Sequence, residues 1–147
     1  SKDGKKLYLL QELDGTLSVF NFTKGKLKLV QETTVVADGF DKSFTAADIH
    51  ISPDEKFIYA TNRKEANTIR CFKILKDGKL EFASRTSTLG DGPRNFAIDP
   101  TGDFLLVGHQ YTNNVVVFKR DKDTGALTDT GKRIEMCSPV CLLFTQQ

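Results

Sequence analysis

The hydrophobic residues of this chain either alternate with polar ones or stand in short blocks, separated by turn residues. Period-two alternation is typical of half-buried β-strands, and no window shows the spacing of an amphipathic helix. The pattern therefore predicts an all-β protein. Strands are expected at residues 6–11, 17–22, 27–33, 47–51, 57–61, 68–75, 80–88, 95–99, 104–108, 114–119, 126–135 and 139–144.

One unit of about 47 residues recurs along the sequence. The stretch AADIHISPDEKFIYATNR, which begins at Ala46, returns as RNFAIDPTGDFLLVGHQ from Arg94, and Pro53 and Pro100 are 47 positions apart. A shortened copy, KLYLLQELDGTLSVF, opens the chain. Repeats of this length, with four short strands each, are typical of the blades of a β-propeller.

Each full repeat predicts four antiparallel strands, lettered A to D from the inside of the propeller outwards. The chain then reads BCD, ABCD, ABCD and A, with blades at about residues 1–35, 46–90 and 93–136 and a closing strand at 138–144. That closing strand could supply the A strand that the first blade lacks. Because propellers have about four to eight blades, we expect this chain to be the C-terminal portion of a longer propeller. Its uncovered blade faces are expected to associate with a partner.

The composition argues against several classes of function. The 21 basic and 19 acidic residues are interspersed and leave a net charge of +2, which does not favour binding to nucleic acid or to a membrane surface. No apolar run reaches transmembrane length. Cys71, Cys137 and Cys141 are expected to be reduced and buried, which is typical of a cytoplasmic protein. The sequence has no metal-ligand cluster and no glycine-rich phosphate loop, so neither a metal nor another cofactor is expected.

Candidate site residues come from comparing the repeats with one another. Positions that serve the fold should stay similar from blade to blade, whereas positions that serve one asymmetric site should differ. In an antiparallel sheet the end of strand B and the start of strand A lie at the same end, which in a propeller is one rim of the central channel. Six polar side chains are expected along this rim: Glu12, Arg63 and Gln110 at the ends of strand B, and Asp48, His50 and Arg94 in strand A.

These residue types suit the recognition and hydrolysis of an anionic substrate. Arginines bind phosphate or carboxylate through paired hydrogen bonds, and Arg63 and Arg94 are candidates for that role. A carboxylate and a histidine suit general acid–base chemistry, such as the activation of a water molecule. Structural explanations stay open beside this one. Glu12 could be a solvated strand end, either arginine could form a rim ion pair, and His50 could pack between blades.

Two long segments resemble a known family. AADIHISPDEKFIYATNR (46–63) and GPRNFAIDPTGDFLLVGHQ (92–110) are similar to the seven-bladed β-propeller lactonases of the bacterial 6-phosphogluconolactonase type. LYLLQELDGTLSVF (7–20) and the closing PVCLLF (139–144) fit the same family, so the resemblance covers the whole chain. It implies hydrolysis of the phosphosugar lactone 6-phospho-D-glucono-1,5-lactone to 6-phosphogluconate, in the oxidative pentose phosphate pathway and without a metal.

The residues and the resemblance together suggest a division of roles. Activity is expected to need the preceding blades, because the histidine that the family links to catalysis belongs to an earlier blade. The chain alone is therefore expected to be inactive. We assign catalysis to Glu12, Arg63 and His50, and substrate binding to Arg94, Gln110 and Asp48.

Two other functions remain open at the level of sequence. The first is a muconate-type lactonizing cycloisomerase, which a related family carries on the same fold, or a lactonase for another sugar acid, because an arginine pair binds phosphate and carboxylate alike. A propeller without activity could instead bind a partner protein across its rim. An interaction surface of that kind should be rich in aromatic residues and methionine, whereas this rim presents Glu12, Arg63 and Gln110.

Overall fold

A computed structural model describes residues 1–145 as eleven β-strands without a helix. The hydrophobic pattern predicted each of them, and the largest differences are at β4 and β5, which continue three residues further at the rim than expected. The strands are β1 (Lys6–Leu10), β2 (Thr16–Thr23), β3 (Lys26–Thr34), β4 (Phe44–Ile51), β5 (Phe57–Lys64), β6 (Thr68–Ile74), β7 (Leu80–Ser87), β8 (Pro93–Ile98), β9 (Phe104–His109), β10 (Asn114–Arg120) and β11 (Leu127–Glu135).

The strands form three antiparallel sheets, which we call blades I, II and III. Blade I has the order β1-β2-β3, blade II the order β4-β5-β6-β7, and blade III the order β8-β9-β10-β11. Neighbouring strands in each blade are also neighbours in sequence, as a propeller meander requires. The predicted arrangement of one three-stranded blade followed by two four-stranded blades is therefore confirmed.

Two hydrophobic cores hold the three blades together, one at each interface. Successive side chains of a strand point to opposite faces, so a single strand can serve both cores. In β5, Ile58 and Ala60 are buried against Leu17 and Val19 of blade I. The intervening Phe57 and Tyr59 are buried in the core shared with blade III. Blade II is therefore covered on both faces, which explains why β5 is buried over most of its length.

A hydrogen bond between blades recurs at equivalent positions of the repeat. The hydroxyl of Tyr8 in β1 donates to the carbonyl oxygen of Gly78 at 3.0 Å, in the hairpin of the next blade. The hydroxyl of Tyr59 in β5 donates in the same way to Gly125 at 2.8 Å. Both glycines have a positive φ, of 79° and 74°. The hairpin thus needs glycine both for its backbone and for the approach of the preceding blade.

We predict that Gly125→Ala will destabilise the protein much more than Gly25→Ala. Both glycines have a positive φ, which costs alanine about 1 kcal/mol. A Cβ at position 125 would also lie 2.7 Å from the Phe57 ring and from Cys71 Sγ. A Cβ at position 25 would have no other atom within 4 Å. Overpacking raises the expected loss at Gly125 to at least about 2 kcal/mol. Urea unfolding measures both losses, and equal losses would contradict the packing argument.

A buried arginine joins blades II and III. Arg120 in β10 is only 2% exposed. Its Nη2 donates to both carboxylate oxygens of Asp54 at 3.0 and 2.9 Å, and its Nε donates to the Tyr59 hydroxyl at 2.9 Å. Its Nη1 donates to the Gly102 carbonyl oxygen at 3.0 Å. All three nitrogens are therefore paired, as a charge buried at an interface requires.

The prediction of a closing strand at 138–144 is wrong in its secondary structure. The residues do lie beside blade III, where the innermost strand of a next blade would run. These residues, which we call the closing segment, form no strand. The Leu142 amide donates to Asn95 Oδ1 at 2.6 Å, just as the Phe96 amide of β8 donates to Asp48 Oδ2 at 3.0 Å one repeat earlier. The segment therefore follows the path of a next innermost strand. It has no strand beside it in residues 1–145, and a strand requires a ladder partner.

The cysteines are buried only in part. Cys71 lies in the core between blades II and III, where burial raises the pKa of its thiol to about 11. Cys137 and Cys141 are exposed, so the expectation that all three are buried was wrong for these two. Cys137 directly precedes the closing segment and Cys141 lies within it, and no further blade in residues 1–145 covers this segment. In the part of the chain that the structure describes, no helix is long and apolar enough to cross a membrane.

Candidate active site

Glu12 and Arg63 form an ion pair between blades I and II. Arg63 Nη2 donates to Glu12 Oε1 and, at 3.2 Å, to the carbonyl oxygen of Ala46. The Arg63 side chain is 14% exposed and that of Glu12 is 59% exposed. Within residues 1–145, Arg63 Nη1 makes no hydrogen bond and the buried Nε has no partner. The guanidinium therefore keeps one donor nitrogen, Nη1, that an oxyanion could use.

The sequence places this pair through the ends of two strands. Glu12 follows β1, and its carbonyl oxygen accepts the Ala46 amide at 2.8 Å, which ties the end of β1 to β4. Arg63 is the last but one residue of β5 and lies opposite Thr45 in β4. Each residue thus stands where its strand reaches the rim, which the alignment of the repeats predicted.

Arg94 and Gln110 occupy the same rim one blade further on. Pro93 pairs with His109 across β8 and β9, so the residues that follow each of them lie at the same end of blade III. Arg94 is exposed, and Gln110 is anchored through its amide, which donates to the Gly92 carbonyl oxygen at 2.9 Å. The structure therefore places four of the six predicted side chains at one end of the blades: Glu12, Arg63, Arg94 and Gln110.

Asp48 and His50 form a second group in β4. Asp48 Oδ2 lies 3.0 Å from His50 Nε2 and also accepts hydrogen bonds from the Asn95 amide group at 2.5 Å and the Phe96 amide at 3.0 Å. The His50 ring packs edge-on against the Phe96 ring, with the centroids 4.8 Å apart. Asp48 therefore joins blades II and III, and its role in the structure is to hold β8 rather than to face the rim.

The structure does not bring His50 to the Glu12–Arg63 pair. His50 lies opposite Tyr59 in the β4–β5 ladder, whereas Arg63 lies opposite Thr45. Tyr59 and Arg63 are four positions apart in β5, which corresponds to about 13 Å along the strand. The prediction of one cluster that contains Glu12, Arg63 and His50 is therefore wrong. His50 instead borders an open groove of about 480 Å³ beside the closing segment.

Asp48 makes the stability of the protein depend on pH in the acid range. Burial raises the pKa of Asp48, but the hydrogen bonds from His50, Phe96 and Ile49 outweigh it and keep the pKa below its usual value. A carboxyl with a lowered pKa in the folded state stabilises the protein fully above about pH 4, and this contribution is lost as the pH falls through the folded-state pKa.

We expect the Asp48→Asn protein to lose less stability than the parent between pH 7 and pH 3. Asparagine does not titrate, and Asn95 already accepts the equivalent backbone hydrogen bond in the next repeat. The measurement is the urea midpoint of both proteins at the two pH values. An identical loss of stability in the two proteins would contradict the claim that protonation of Asp48 contributes to the loss at acid pH.

Comparison of the repeats missed two polar residues that hold the connection between blades I and II. Asn62 is fully buried and its side-chain amide donates to the Val35 carbonyl oxygen. Arg70 Nη1 donates to the carbonyl oxygens of Thr34 and Val36. Both therefore fix the start of the long connection between blades I and II. A signal was present, since Arg70 stands between the core residues Ile69 and Cys71, where a charge needs partners.

A metal centre finds no support in these groups. Among residues 1–145 no three His, Cys, Asp or Glu side chains are arranged to hold an ion. The rim pair consists of one carboxylate and one guanidinium, which is a donor set for an anion rather than for a cation.

Known proteins resemble the chain throughout its length. A sequence model for the family described as "Lactonase, 7-bladed beta-propeller" matches residues 1–144. A 6-phosphogluconolactonase of Formosa agariphila is 44% identical over 128 residues, which is 86% of this chain and 36% of that protein. A 6-phosphogluconolactonase of Bacillus subtilis is 34% identical over 146 residues, which is 97% of this chain and 42% of that protein.

The fold is also similar to that of solved structures. The periplasmic gluconolactonase of Pseudomonas aeruginosa superposes with a TM-score of 0.95 at 34% identity, covering 99% of this chain and 41% of that one. The chain thus spans less than half the length of the relatives that it matches.

Proposed function

The chain belongs to the seven-bladed β-propeller lactonase family, and we propose that it serves the hydrolysis of a sugar lactone, 6-phospho-D-glucono-1,5-lactone, as part of a complete propeller. The observation that carries this proposal is the Glu12–Arg63 pair at the rim, with Arg94 and Gln110 beside it on the next blade. The names of the two bacterial relatives support the same substrate.

Arg63 is assigned the stabilisation of the oxyanion. Attack of water on a lactone carbonyl places negative charge on the carbonyl oxygen, and a donor held in advance lowers the barrier to this step. Arg63 is held by Glu12 and by the Ala46 carbonyl oxygen, both through Nη2. Its Nη1 is left for the substrate, because Nε is buried, and no reorganisation of the strand is needed when charge develops.

Glu12 is assigned the role of general base. Its carboxylate is 59% exposed, so a water molecule can reach it beside Arg63. Glu12 takes a proton from this water as the oxygen bonds to the lactone carbonyl carbon. The bond between that carbon and the ring oxygen then breaks, and the ring oxygen takes up the proton. The products are the open-chain acid and the regenerated carboxylate.

Arg94 is assigned the recognition of the substrate phosphate. It is exposed on the same rim, one blade beyond Arg63. Separation of the two arginines by one blade suits a substrate whose phosphate and lactone carbonyl lie at opposite ends of a sugar. Gln110 is placed to contact the hydroxyl groups between them. His50 and Asp48 have no part in the chemistry under this proposal.

The test compares two lactones on the complete propeller. The rate of ring opening is measured with 6-phosphogluconolactone and with unphosphorylated gluconolactone. We expect a higher kcat/KM for the phosphorylated substrate, and Arg94→Met should reduce this preference while it leaves the opening of gluconolactone unchanged. Equal rates on both lactones would contradict the phosphosugar assignment. A cytoplasmic location remains a prediction of the sequence.

A further inference from the structure

His109 is a buried histidine that the proposed chemistry does not use. It is the last residue of β9 and is completely buried. It continues the row formed by Leu105 and Val107, whose side chains are buried in the core shared with blade II. Within residues 1–145, neither ring nitrogen has a hydrogen-bond partner. Burying a polar group without a partner destabilises a protein, so the presence of a histidine here needs an explanation.

The ring of His109 packs against residues 88–92, which join blade II to blade III and which we call the 88–92 connection. A Cβ added to Gly90 would lie 2.5 Å from Cγ of the ring and 2.7 Å from its Nδ1. Gly90 has no positive φ, so the missing side chain makes room for the ring and does not serve the backbone. The connection therefore lies directly on the ring.

The 88–92 connection is tied to the two side chains that are assigned to substrate binding. Gln110 directly follows His109, and its amide donates to the Gly92 carbonyl oxygen at 2.9 Å. Arg94 directly follows Pro93, which pairs with His109 across β8 and β9. A displacement of the connection would therefore move Arg94 and Gln110 together.

The preceding blade holds its own connection by a different contact. Asn62 stands at the position of His109 one repeat earlier, and its side-chain amide donates to the Val35 carbonyl oxygen. Val35 directly follows the outermost strand of blade I, as Thr88 directly follows that of blade II. Asparagine does not titrate, so its hold does not depend on pH. His109 relies on packing instead.

A charge on the His109 ring does not suit this packing. Burial is the main reason why the pKa of His109 lies below its usual value. Arg133 of β11 also opposes protonation, whereas the Asn114 side chain, Asp91 and the Thr88 backbone favour it without reversing the shift. Displacement of the connection would return the ring to water, where its pKa is about 6.5. Acid thus favours displacement: the effect is absent above about pH 7 and grows as the pH falls towards the folded-state pKa.

We infer that His109 is a positioning residue for Arg94 and Gln110, and that it holds the 88–92 connection firmly only while its ring is neutral. The ion pair between blades I and II does not contact this connection and keeps its geometry when the connection moves. The role of the connection in substrate binding rests on the proposed function. The dependence of the connection on the His109 ring does not.

Hydrogen exchange on the complete propeller tests the hold of the ring. The amides of Gln110 and Tyr111 donate to carbonyl oxygens of the connection at 2.9 and 3.1 Å. Mass spectrometry measures the protection of the peptide that contains both, corrected for the intrinsic effect of pH on exchange. Between pH 7.5 and pH 5.5 this protection should fall by roughly three- to tenfold, since tenfold is the most that a group with an ordinary pKa of 6.5 contributes over this range.

His109→Asn is the matched variant, because asparagine performs the same task in blade II. The protection of the same peptide should change less than roughly twofold in this variant, since no group at position 109 titrates. The Ala46 amide, which donates to the Glu12 carbonyl oxygen, is the control in both proteins and should keep its protection. Equal protection of the parent at the two pH values would overturn the inference. An equal fall in the parent and in His109→Asn, or a fall that includes Ala46, would overturn it as well.

Gly90→Ala tests the effect of the connection on the substrate at pH 7.5. Its Cβ would meet the ring and displace the connection, so the KM for 6-phosphogluconolactone should rise at least roughly threefold while kcat changes little. Adding His109→Ala removes the clashing ring and should bring KM back towards the parent value. An unchanged KM in Gly90→Ala, or a KM that the second substitution does not lower, would overturn the positioning role. Failure of the parent to open the lactone would overturn the proposed function, while hydrogen exchange would still decide whether His109 holds the connection.

Discussion

Replacing Glu12 with glutamine should reduce the kcat for lactone opening by a factor of roughly 10²–10⁴, the usual contribution of a positioned general base. Glutamine keeps the size of the side chain and can still accept a hydrogen bond from Arg63 Nη2 through its amide oxygen. It cannot take a proton from water. The loss should therefore appear in kcat, while KM changes little because Arg94 and Gln110 still hold the substrate.

Glu81→Gln is the matched control for this variant. Glu81 is an exposed carboxylate on β7, the outermost strand of blade II, and β6 separates this strand from the β5 strand that carries Arg63. Its loss should leave kcat and KM at the parent values. Parent-like turnover in Glu12→Gln would contradict the assignment of the base. A rise in KM without a fall in kcat would indicate that Glu12 binds the substrate instead.

Replacing Arg120 with methionine should cost about 2–3 kcal/mol in the free energy of unfolding, because it leaves buried hydrogen-bond partners unsatisfied while Asp54 stays 26% exposed. The change removes the Nη2 donor that both carboxylate oxygens of Asp54 share, and it leaves the Gly102 carbonyl oxygen without its donor. It also removes a cation that lies 5.5 Å from the centroid of the Phe57 ring. Urea unfolding of the variant and the parent measures the loss.

Arg133→Met is the control for position 120. Arg133 also forms two hydrogen bonds with a carboxylate, that of Asp129, but both side chains are about one third exposed. An exposed pair of this kind contributes less than about 1 kcal/mol. Similar losses in the two variants would contradict the view that burial makes the Arg120 pair indispensable.

The strands and blades were predictable because a propeller repeats its local rules. Apolar alternation at Phe57–Ala60, the turn at Pro53 and the hairpin glycine at Gly78 recur one repeat later, and each recurrence confirms the others. The closing segment was located correctly but assigned the wrong secondary structure. Its sequence is suited to a strand, yet a strand depends on a neighbour, which lies beyond what the sequence of the segment can specify.

The candidate site was predictable only in part. Comparison of blades identified Glu12 and Arg63, because a structural repeat gives no reason for opposite charges at equivalent positions. The same rule misplaced Asp48, since aspartate and Asn95 accept the same backbone hydrogen bond in successive repeats. Different residues at equivalent positions can thus share one role. His50 was placed at the rim although its register with Tyr59 puts it further along the strand.

The most direct test of the account is a double-mutant cycle of Glu12→Gln and Arg63→Met, measured as kcat/KM for 6-phosphogluconolactone on the complete propeller. The two side chains are in contact and serve one transition state, so their effects should not be additive. We predict that the double variant is about as slow as the slower single variant. Two losses that multiply independently, or single variants that retain the parent rate, would contradict a joint role of Glu12 and Arg63 in opening the lactone.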